Sequence, residues 1–311
     1  MFDVVTGGAG FIGSHLVDTL VAQGNEVLVI DSLCAGKKET IARHLDSCKV
    51  RLLQKDLLGD GWQKSIEGAD RLFHLAADPD VRQSAVNPDP TIQNNILATY
   101  RVLEAMRQYK VPELVFTSTS TVYGDATLIP TPENYTPLEP ISVYGASKLA
   151  CESLISSYCH SFGMKAYNFR FANIIGSRSG HGVITDFIKK LEQNPGELEI
   201  LGDGKQTKSY LEVHECVAAM LFAVGHARDT VNTFNVGPED WIDVKSIAEI
   251  ICEEMHLPDT RFRFTGGERG WVGDVPRMQL SVEKIKALRW KPQLGSKESV
   301  RIAVQAMLAE R

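Results

Sequence analysis

The chain has 311 residues, with 33 Lys plus Arg against 39 Asp plus Glu and a formal net charge of -6, which argues against the basic surface that a nucleic-acid partner needs. It is 43% hydrophobic and 23% charged, a globular composition with length enough for one large domain or two smaller ones. No apolar run approaches the ~20 residues of a membrane span, and with a strand beginning at Phe2 no signal peptide is expected, so the expectation is a cytoplasmic protein with no membrane partner.

Phe2–Val5 reads as a short buried strand. Thr6-Gly7-Gly8-Ala9-Gly10-Phe11-Ile12-Gly13 follows, and then an apolar helical pattern through Leu16, Val17, Leu20 and Val21. Gly8, Gly10 and Gly13 fit the G-x-G-x-x-G fingerprint in the context it requires, a strand opening a helix. Gly7, Gly10 and Gly13 also fit a looser G-x-x-G-x-x-G spacing. Such glycines let backbone N–H groups approach a pyrophosphate, and the helix N-terminus adds partial positive charge. The second strand, Glu26–Ile30, ends in Asp31. A carboxylate there accepts from an adenosine ribose 2′-OH and repels a 2′-phosphate, which favours NAD over NADP. Lys37 and Lys38 pull the other way, since a basic pair can meet a phosphate.

Further strands are expected at Val50–Gln54, Arg71–His74, Glu113–Thr117 and Ala166–Arg170, with helices starting near Val81, Thr91 and Tyr144. Pro130, Pro132, Pro137 and Pro140 make Thr127–Ile141 a loop. This alternation predicts an α/β fold, a doubly wound parallel sheet. After about Asn173 glycine-rich turns at Gly176–Gly182 and Gly202–Gly204 alternate with shorter elements, so a smaller mixed α/β C-terminal lobe is expected over the carboxyl ends of the strands. The expected division is 1–172 for dinucleotide binding, with a return segment near 207–235 that carries the apolar helix Cys216–Val224. Residues 173–206 and 236–311 form the substrate lobe. The six cysteines are scattered without a C-x-x-C and read as reduced thiols. No histidine spacing suggests a metal site.

Tyr144 and Lys148 stand at i and i+4, on one face of a helix. An ammonium beside a phenol favours the phenolate and suits it to act as a base. Together with Lys55-Asp56-Leu57, His74-Leu75-Ala76-Ala77, Asn94-Asn95, Ser118–Gly124, Arg170–Asn173, Gly202–Tyr210 and Gly267–Asp274, the motifs resemble the extended short-chain dehydrogenase/reductase family, specifically its nucleotide-sugar epimerases, over essentially the whole chain. The resemblance implies NAD as cofactor, held by Gly7, Gly10, Phe11, Ile12, Gly13, Asp31 and Ser32. Asp56 and Leu57 would contact adenine, and Leu75, Ala76 and Ala77 would line the nicotinamide ribose channel. Asn95 would support the lysine directly or through water, and Thr117, Phe171, Tyr144 and Lys148 complete the cofactor set. It implies Thr119, Tyr144 and Lys148 as catalytic residues. It implies substrate contacts from Thr119, Tyr144, Asn173, Val183, Leu201, Lys208, Tyr210, Arg269 and Asp274. Asn173 and Arg269 would meet a diphosphate, and Asp274 would accept from ribose or sugar hydroxyls.

Related dehydratases carry an Asp-Glu pair just before Val-Tyr-Gly, and related decarboxylases carry a Glu. This chain has Ser120 and Thr121 there. Hydroxyl side chains are poor proton-transfer groups near neutral pH, so elimination chemistry is not expected. The resemblance then implies inversion at C4 of a UDP-sugar through a transient 4-keto sugar. Tyr144 would be the base, Thr119 would bond the same oxygen, and Lys148 would lower the Tyr144 pKa. UDP-glucose/UDP-galactose is the first expectation, with UDP-glucuronate (should Arg178 meet a uronate and not stand as a structural Arg in its polar loop) and UDP-N-acetylglucosamine as alternatives. A 4-keto nucleotide-sugar reductase and a non-catalytic NAD-binding regulator are the competing classes. Apolar faces on Asn94–Tyr109 and Tyr144–Phe162 suggest a homodimer, as in many family members.

Overall fold

The computed structural model describes residues 1–46, 49–271 and 273–310. Its centre is a seven-stranded sheet made of Phe2–Thr6 (β1), Glu26–Asp31 (β2), Val50–Gln54 (β3), Arg71–His74 (β4), Glu113–Thr119 (β5), Lys165–Phe171 (β6) and Val231–Val236 (β7). The spatial order is β7-β6-β5-β4-β1-β2-β3, and every pairing is parallel. The doubly wound expectation is met. The strand order reverses beside β1, which lies between β2 and β4, and this opens a crevice beyond their carboxyl ends.

Both faces of the sheet are covered, which is why the central strands read as continuous apolar runs. On one face Val5, Val29, Phe73, Val115 and Phe169 pack against Leu16, Val17 and Leu20 of helix Phe11–Ala22. Cys216, Val217 and Met220 of helix Val213–His226 join them there. On the other face Val4, Leu28, Leu72, Leu114 and Phe116 meet Val102, Leu103 and Met106 of helix Ala98–Tyr109, together with Cys151 and Ile155 of helix Val143–Phe162. The alternation of Val4 and Val5 between the two clusters is the period of two that a strand imposes.

The seventh strand was not among the strands expected. Its sequence is broken by Asn232 and Asn235, which are buried because their amides are satisfied: Asn232 donates to the Ala166 and Asp229 carbonyls, and Asn235 to those of Thr131 and Ser281. A third apolar cluster is separate from the sheet and unites Ile184, Phe187, Ile188, Leu198, Ile247, Ile251, Val300 and Val304. It underlies three small sheets: Asn173–Ile175 with Tyr210–Glu212, Glu197–Ile200 with Arg261–Phe264, and Thr207–Lys208 between Ile242–Asp243 and Arg277–Met278. Among the described residues no helix is long and apolar enough to cross a membrane. Of the six cysteines, Cys48 lies outside the described residues, and the other five are free thiols.

Candidate active site

At the carboxyl end of β1 the chain turns on Gly7, whose φ is +71°. A Cβ on Gly7 would lie 2.6 Å from the Ala76 backbone nitrogen, and one on Gly13 would lie 2.1 Å from the Gly7 carbonyl oxygen. Both positions are therefore restricted to glycine by close backbone approach. Helix Phe11–Ala22 starts at Gly10 with no side-chain cap, and its first turn has no acidic residue. Its N-terminal positive end is not neutralised by the chain itself, which suits an anionic ligand. Asp31 is buried and braces this loop: Oδ2 accepts from Ala9 N at 2.9 Å and Oδ1 from Leu33 N at 2.8 Å. Each oxygen keeps a second lone pair for a hydroxyl donor. These features fit a dinucleotide.

The other expected cofactor residues are placed as follows. Phe11 and Ile12 are half-buried in the first turn of that helix, and Ser32 donates to Cys34 Sγ at 3.2 Å. Asp56 is exposed and its Oδ1 accepts from Leu58 N at 2.9 Å, while Leu57 is buried in the core. Leu75, Ala76 and Ala77 are half-buried beyond β4, with Leu75 N on Thr6 O at 3.1 Å. Phe171 closes β6, stacked on Phe169. Lys37 and Lys38 are both exposed on the loop beyond β2.

Helix Val143–Phe162 is capped by Ser142, whose Oγ accepts from Gly145 N at 3.0 Å. That start puts Tyr144 in the first turn and Lys148 one turn later. Tyr144 N donates to Ser84 Oγ at 3.2 Å, which ties the helix to the segment after β4. β5 runs on to Thr119, whose hydroxyl accepts from Thr121 N at 3.2 Å and shares a hydrogen bond of 3.1 Å with the Thr121 hydroxyl. Tyr144 is half-buried. Burial pushes its phenol up to about 12, the Thr119 hydroxyl pulls it down, and Asp78 and Cys151 push it up. Lys148 is buried, and its Nζ donates to Thr117 O at 3.0 Å and lies 4.8 Å from the Phe116 ring centre. Burial brings its pKa down to about 8.

Asn95 is buried within a π-helical turn, Ile92–Leu97. Its Nδ2 donates to Ser147 Oγ at 2.9 Å, and Ser147 Oγ donates to the Tyr144 carbonyl at 2.7 Å. Asn95 thus supports helix Val143–Phe162 through Ser147. Sequence reading missed Ser147, Ser84 and His74. His74 is buried between the Thr6 hydroxyl at 2.7 Å and the Thr99 hydroxyl at 3.0 Å. Burial, with a smaller push from Lys148, lowers its pKa to about 3, so it stays neutral. The His-Leu-Ala-Ala run was the one signal that could have singled it out.

On the substrate side, Asn173 Nδ2 donates to Ser209 O at 3.2 Å. Val183 heads helix Val183–Gln193, and Tyr210 is buried with its phenol pushed up by burial. Lys208 Nζ meets Asp274 Oδ1 at 2.6 Å, and Asp274 Oδ2 accepts from Gly270 N at 3.0 Å. Arg269 forks onto Asp125, with contacts of 3.3 and 2.7 Å, and also donates to the Asp274 carbonyl. Leu201 lies under the same loop, its Cβ 3.7 Å from where a Cβ on Gly270 would sit. Lys208, Arg269 and Asp274 therefore gather in one place but engage protein groups there. Arg178 takes part in a structural ion pair, one of the two roles expected for it. Its φ is +63°, and its guanidinium donates to Asp18 Oδ2 at 2.8 Å on the outer face of helix Phe11–Ala22. That ion pair engages Nη2, while Nη1 has no hydrogen-bond partner among the described residues.

A phenol and a lysine on one helix, set beside a dinucleotide loop, define an enzyme of the extended short-chain dehydrogenase/reductase class. Residues 4–237 match the model of the NAD dependent epimerase/dehydratase family, and the chain belongs to that family, with NAD as its cofactor. A UDP-glucose 4-epimerase of Mycolicibacterium smegmatis is 30% identical over 313 residues, covering 98% of this chain and 98% of the relative. A crystal structure of a UDP-galactose 4-epimerase is 43% identical with a TM-score of 0.89, covering 100% of this chain and 99% of that one. The UDP-glucuronic acid 4-epimerase of Bacillus cereus, solved with UDP-glucuronic acid and NAD, is 25% identical with a TM-score of 0.91 over 100% of both chains.

Proposed function

We propose that the protein inverts C4 of a UDP-sugar, with UDP-glucose and UDP-galactose as the first pair. The observation that carries this reading is that β5 ends at Thr119, whose hydroxyl lowers the Tyr144 phenol pKa, beside Ser120 and Thr121 where elimination would need carboxyl groups. The Tyr144 phenol takes the proton from the 4-OH, and Thr119 bonds the same oxygen and relays that proton. Lys148, one turn along, holds positive charge near the reacting oxygen and bonds ribose hydroxyls of the cofactor. NAD, held by the glycine loop and Asp31, supplies hydride acceptance and return at C4 when bound. Removal of the proton at one face of the sugar and its return after the sugar has turned over need no second acid or base.

The substrate contacts stay with Asn173, Val183, Leu201, Tyr210, Lys208, Arg269 and Asp274, the last three exchanging protein partners for the nucleotide. The division at residue 172, with the return segment on the first lobe, is part of the same proposal. It is supported by the separate core around Ile188 and Ile251. The proposal also includes a C₂ dimer through the paired helices. They leave Leu97, Tyr100 and Phe162 exposed, at 41%, 45% and 51%; a monomeric mass by light scattering would remove this part.

The test is NMR of parallel incubations with UDP-glucose, UDP-glucuronate and UDP-N-acetylglucosamine and catalytic NAD. Appearance of a C4 epimer with UDP-glucose is expected. An epimer only from another sugar would replace the substrate, and no epimer from folded, NAD-loaded protein would refute the reading.

A further inference from the structure

Two groups at the substrate cleft have hydrogen bonds to give and no acceptor. Trp271 lies in the loop that carries Arg269 and Asp274. Its indole Nε1 is buried and has no hydrogen-bond partner among the described residues. A buried N–H without an acceptor is costly and rare in a native chain. Arg82 extends from the short helix Val81–Ser84, and its guanidinium lies 4.2 Å from the Trp271 ring centre. Among the described residues it has no carboxylate partner, and its side chain is exposed. The neighbouring cations differ in this respect. Lys208, 5.1 Å from the same ring, is paired with Asp274, and Arg269 is paired with Asp125.

The place of this pair in the fold matters. Ser84, at the end of the Arg82 helix, accepts from Tyr144 N, so Arg82 sits two residues from a direct bond to the catalytic helix. Trp271 Nε1 belongs to a side chain three residues before Asp274. The stack therefore bridges the segment after β4 and the Gly267–Asp274 loop. A cation over an indole holds that ring in place and leaves the guanidinium N–H groups at its edge free to donate.

We propose that Arg82 and Trp271 form an oxyanion-binding pair that takes an anionic oxygen of the substrate, from the diphosphate or from a sugar carboxylate. This rests on the nucleotide-sugar reading above and deepens it. Arg82 supplies charge and two or more donors, and Trp271 supplies one fixed donor that the protein leaves unpaired. The arrangement selects substrates that bring acceptors and no donor to this point.

The test is titration calorimetry of NAD-loaded protein with UDP, UDP-glucose and UDP-glucuronate. The variants are Trp271→Phe, which keeps the ring and removes the N–H, Arg82→Ala, and Arg82→Lys, which keeps the charge. Thermal midpoints confirm that each variant is folded. We expect Trp271→Phe and Arg82→Ala to weaken binding about tenfold or more, with Arg82→Lys in between. An equal loss on all three ligands assigns the diphosphate, and a loss confined to UDP-glucuronate assigns the carboxylate. Wild-type affinity of folded Trp271→Phe and Arg82→Ala for all three ligands overturns the pair while leaving the function standing. Failure of the wild-type protein to bind any of the three removes the function and the pair together.

Discussion

Replacing Glu152 by Gln should destabilise the protein strongly although the residue touches no ligand. Glu152 is one turn beyond Lys148, and both it and Arg170 have side chains only 7% exposed. Arg170 forks onto the carboxylate with contacts of 3.0, 3.2 and 2.7 Å, and Ser118 donates to it at 2.5 Å. The other end of the guanidinium bonds the Tyr123 hydroxyl at 2.9 Å and Glu133 O at 3.1 Å. Glutamine keeps the shape, removes the charge, and leaves a buried guanidinium without its counter-ion. Breaking a buried pair from one side costs about 3–5 kcal/mol. Unfolding entropy of ~2.1 cal/mol/K per residue gives ~0.65 kcal/mol/K for a chain of this size, so Tm should fall by about 5–8 °C. Calorimetric scans of Glu152→Gln, of Glu152→Leu and Arg170→Met singly, and of the double variant Glu152→Leu/Arg170→Met supply the test. The double variant should recover part of the loss, because two apolar groups leave no buried charge. A Tm of Glu152→Gln within about 1 °C of wild type would refute the reasoning. So would a double variant that loses as much as the two single variants added together.

Gly13→Ala should cost about 1–3 kcal/mol and weaken NAD binding, because its Cβ would meet a backbone oxygen at 2.1 Å that cannot move aside; a chemical denaturation curve and an NAD titration read both effects. Thr119→Ala should lower the rate and move the ascending limb of the pH–rate profile, along which Tyr144 loses its proton, to higher pH, since it removes the hydroxyl that pulls the phenol down. Thr119→Ser should restore both. Lys148 has a native pKa of about 8 against an ordinary value of 10.5. Below about pH 8 both states hold the proton, and the native state bears the cost of the buried charge. Between those values the native state has lost a proton that the unfolded chain keeps, so this residue makes stability rise with pH. Denaturation midpoints of wild type minus Lys148→Met should therefore climb from pH 8 to 10.5, and a flat or falling difference would contradict the buried-ammonium geometry.

The sheet and the glycine loop were legible because their signals are local. Gly7, Gly10 and Gly13 at fixed offsets, Asp31 at the end of a strand, and Tyr144 with Lys148 one helical turn apart need no knowledge of distant partners. The seventh strand was hidden because Asn232 and Asn235 interrupt its apolar run, and their burial makes sense only once Ala166, Thr131 and Ser281 supply acceptors. The Asn95 bond to Ser147 could not be read from the sequence, because it is made from a π-helical turn that shifts the phase of the residues after Thr91. Arg178 could be read as a structural Arg from its polar, glycine-rich run, but its partner could not. Its partner Asp18 is far away in sequence and comes close only when the chain turns at φ +63°. The same limit applies to Lys208 with Asp274 and to Arg269 with Asp125, whose pairings are set by how the loops meet.

The central claim is that the hydrogen at C4 leaves and returns as hydride within one site, with Tyr144 moving the hydroxyl proton. The most direct measurement uses UDP-glucose deuterated at C4, incubated in ordinary water with NAD-loaded wild type and Tyr144→Phe and followed by NMR. The account predicts UDP-galactose that keeps deuterium at C4 from the wild-type enzyme, and a rate at least about 10²-fold lower from the variant. Exchange of the C4 label with solvent, or a wild-type rate from Tyr144→Phe, would contradict it.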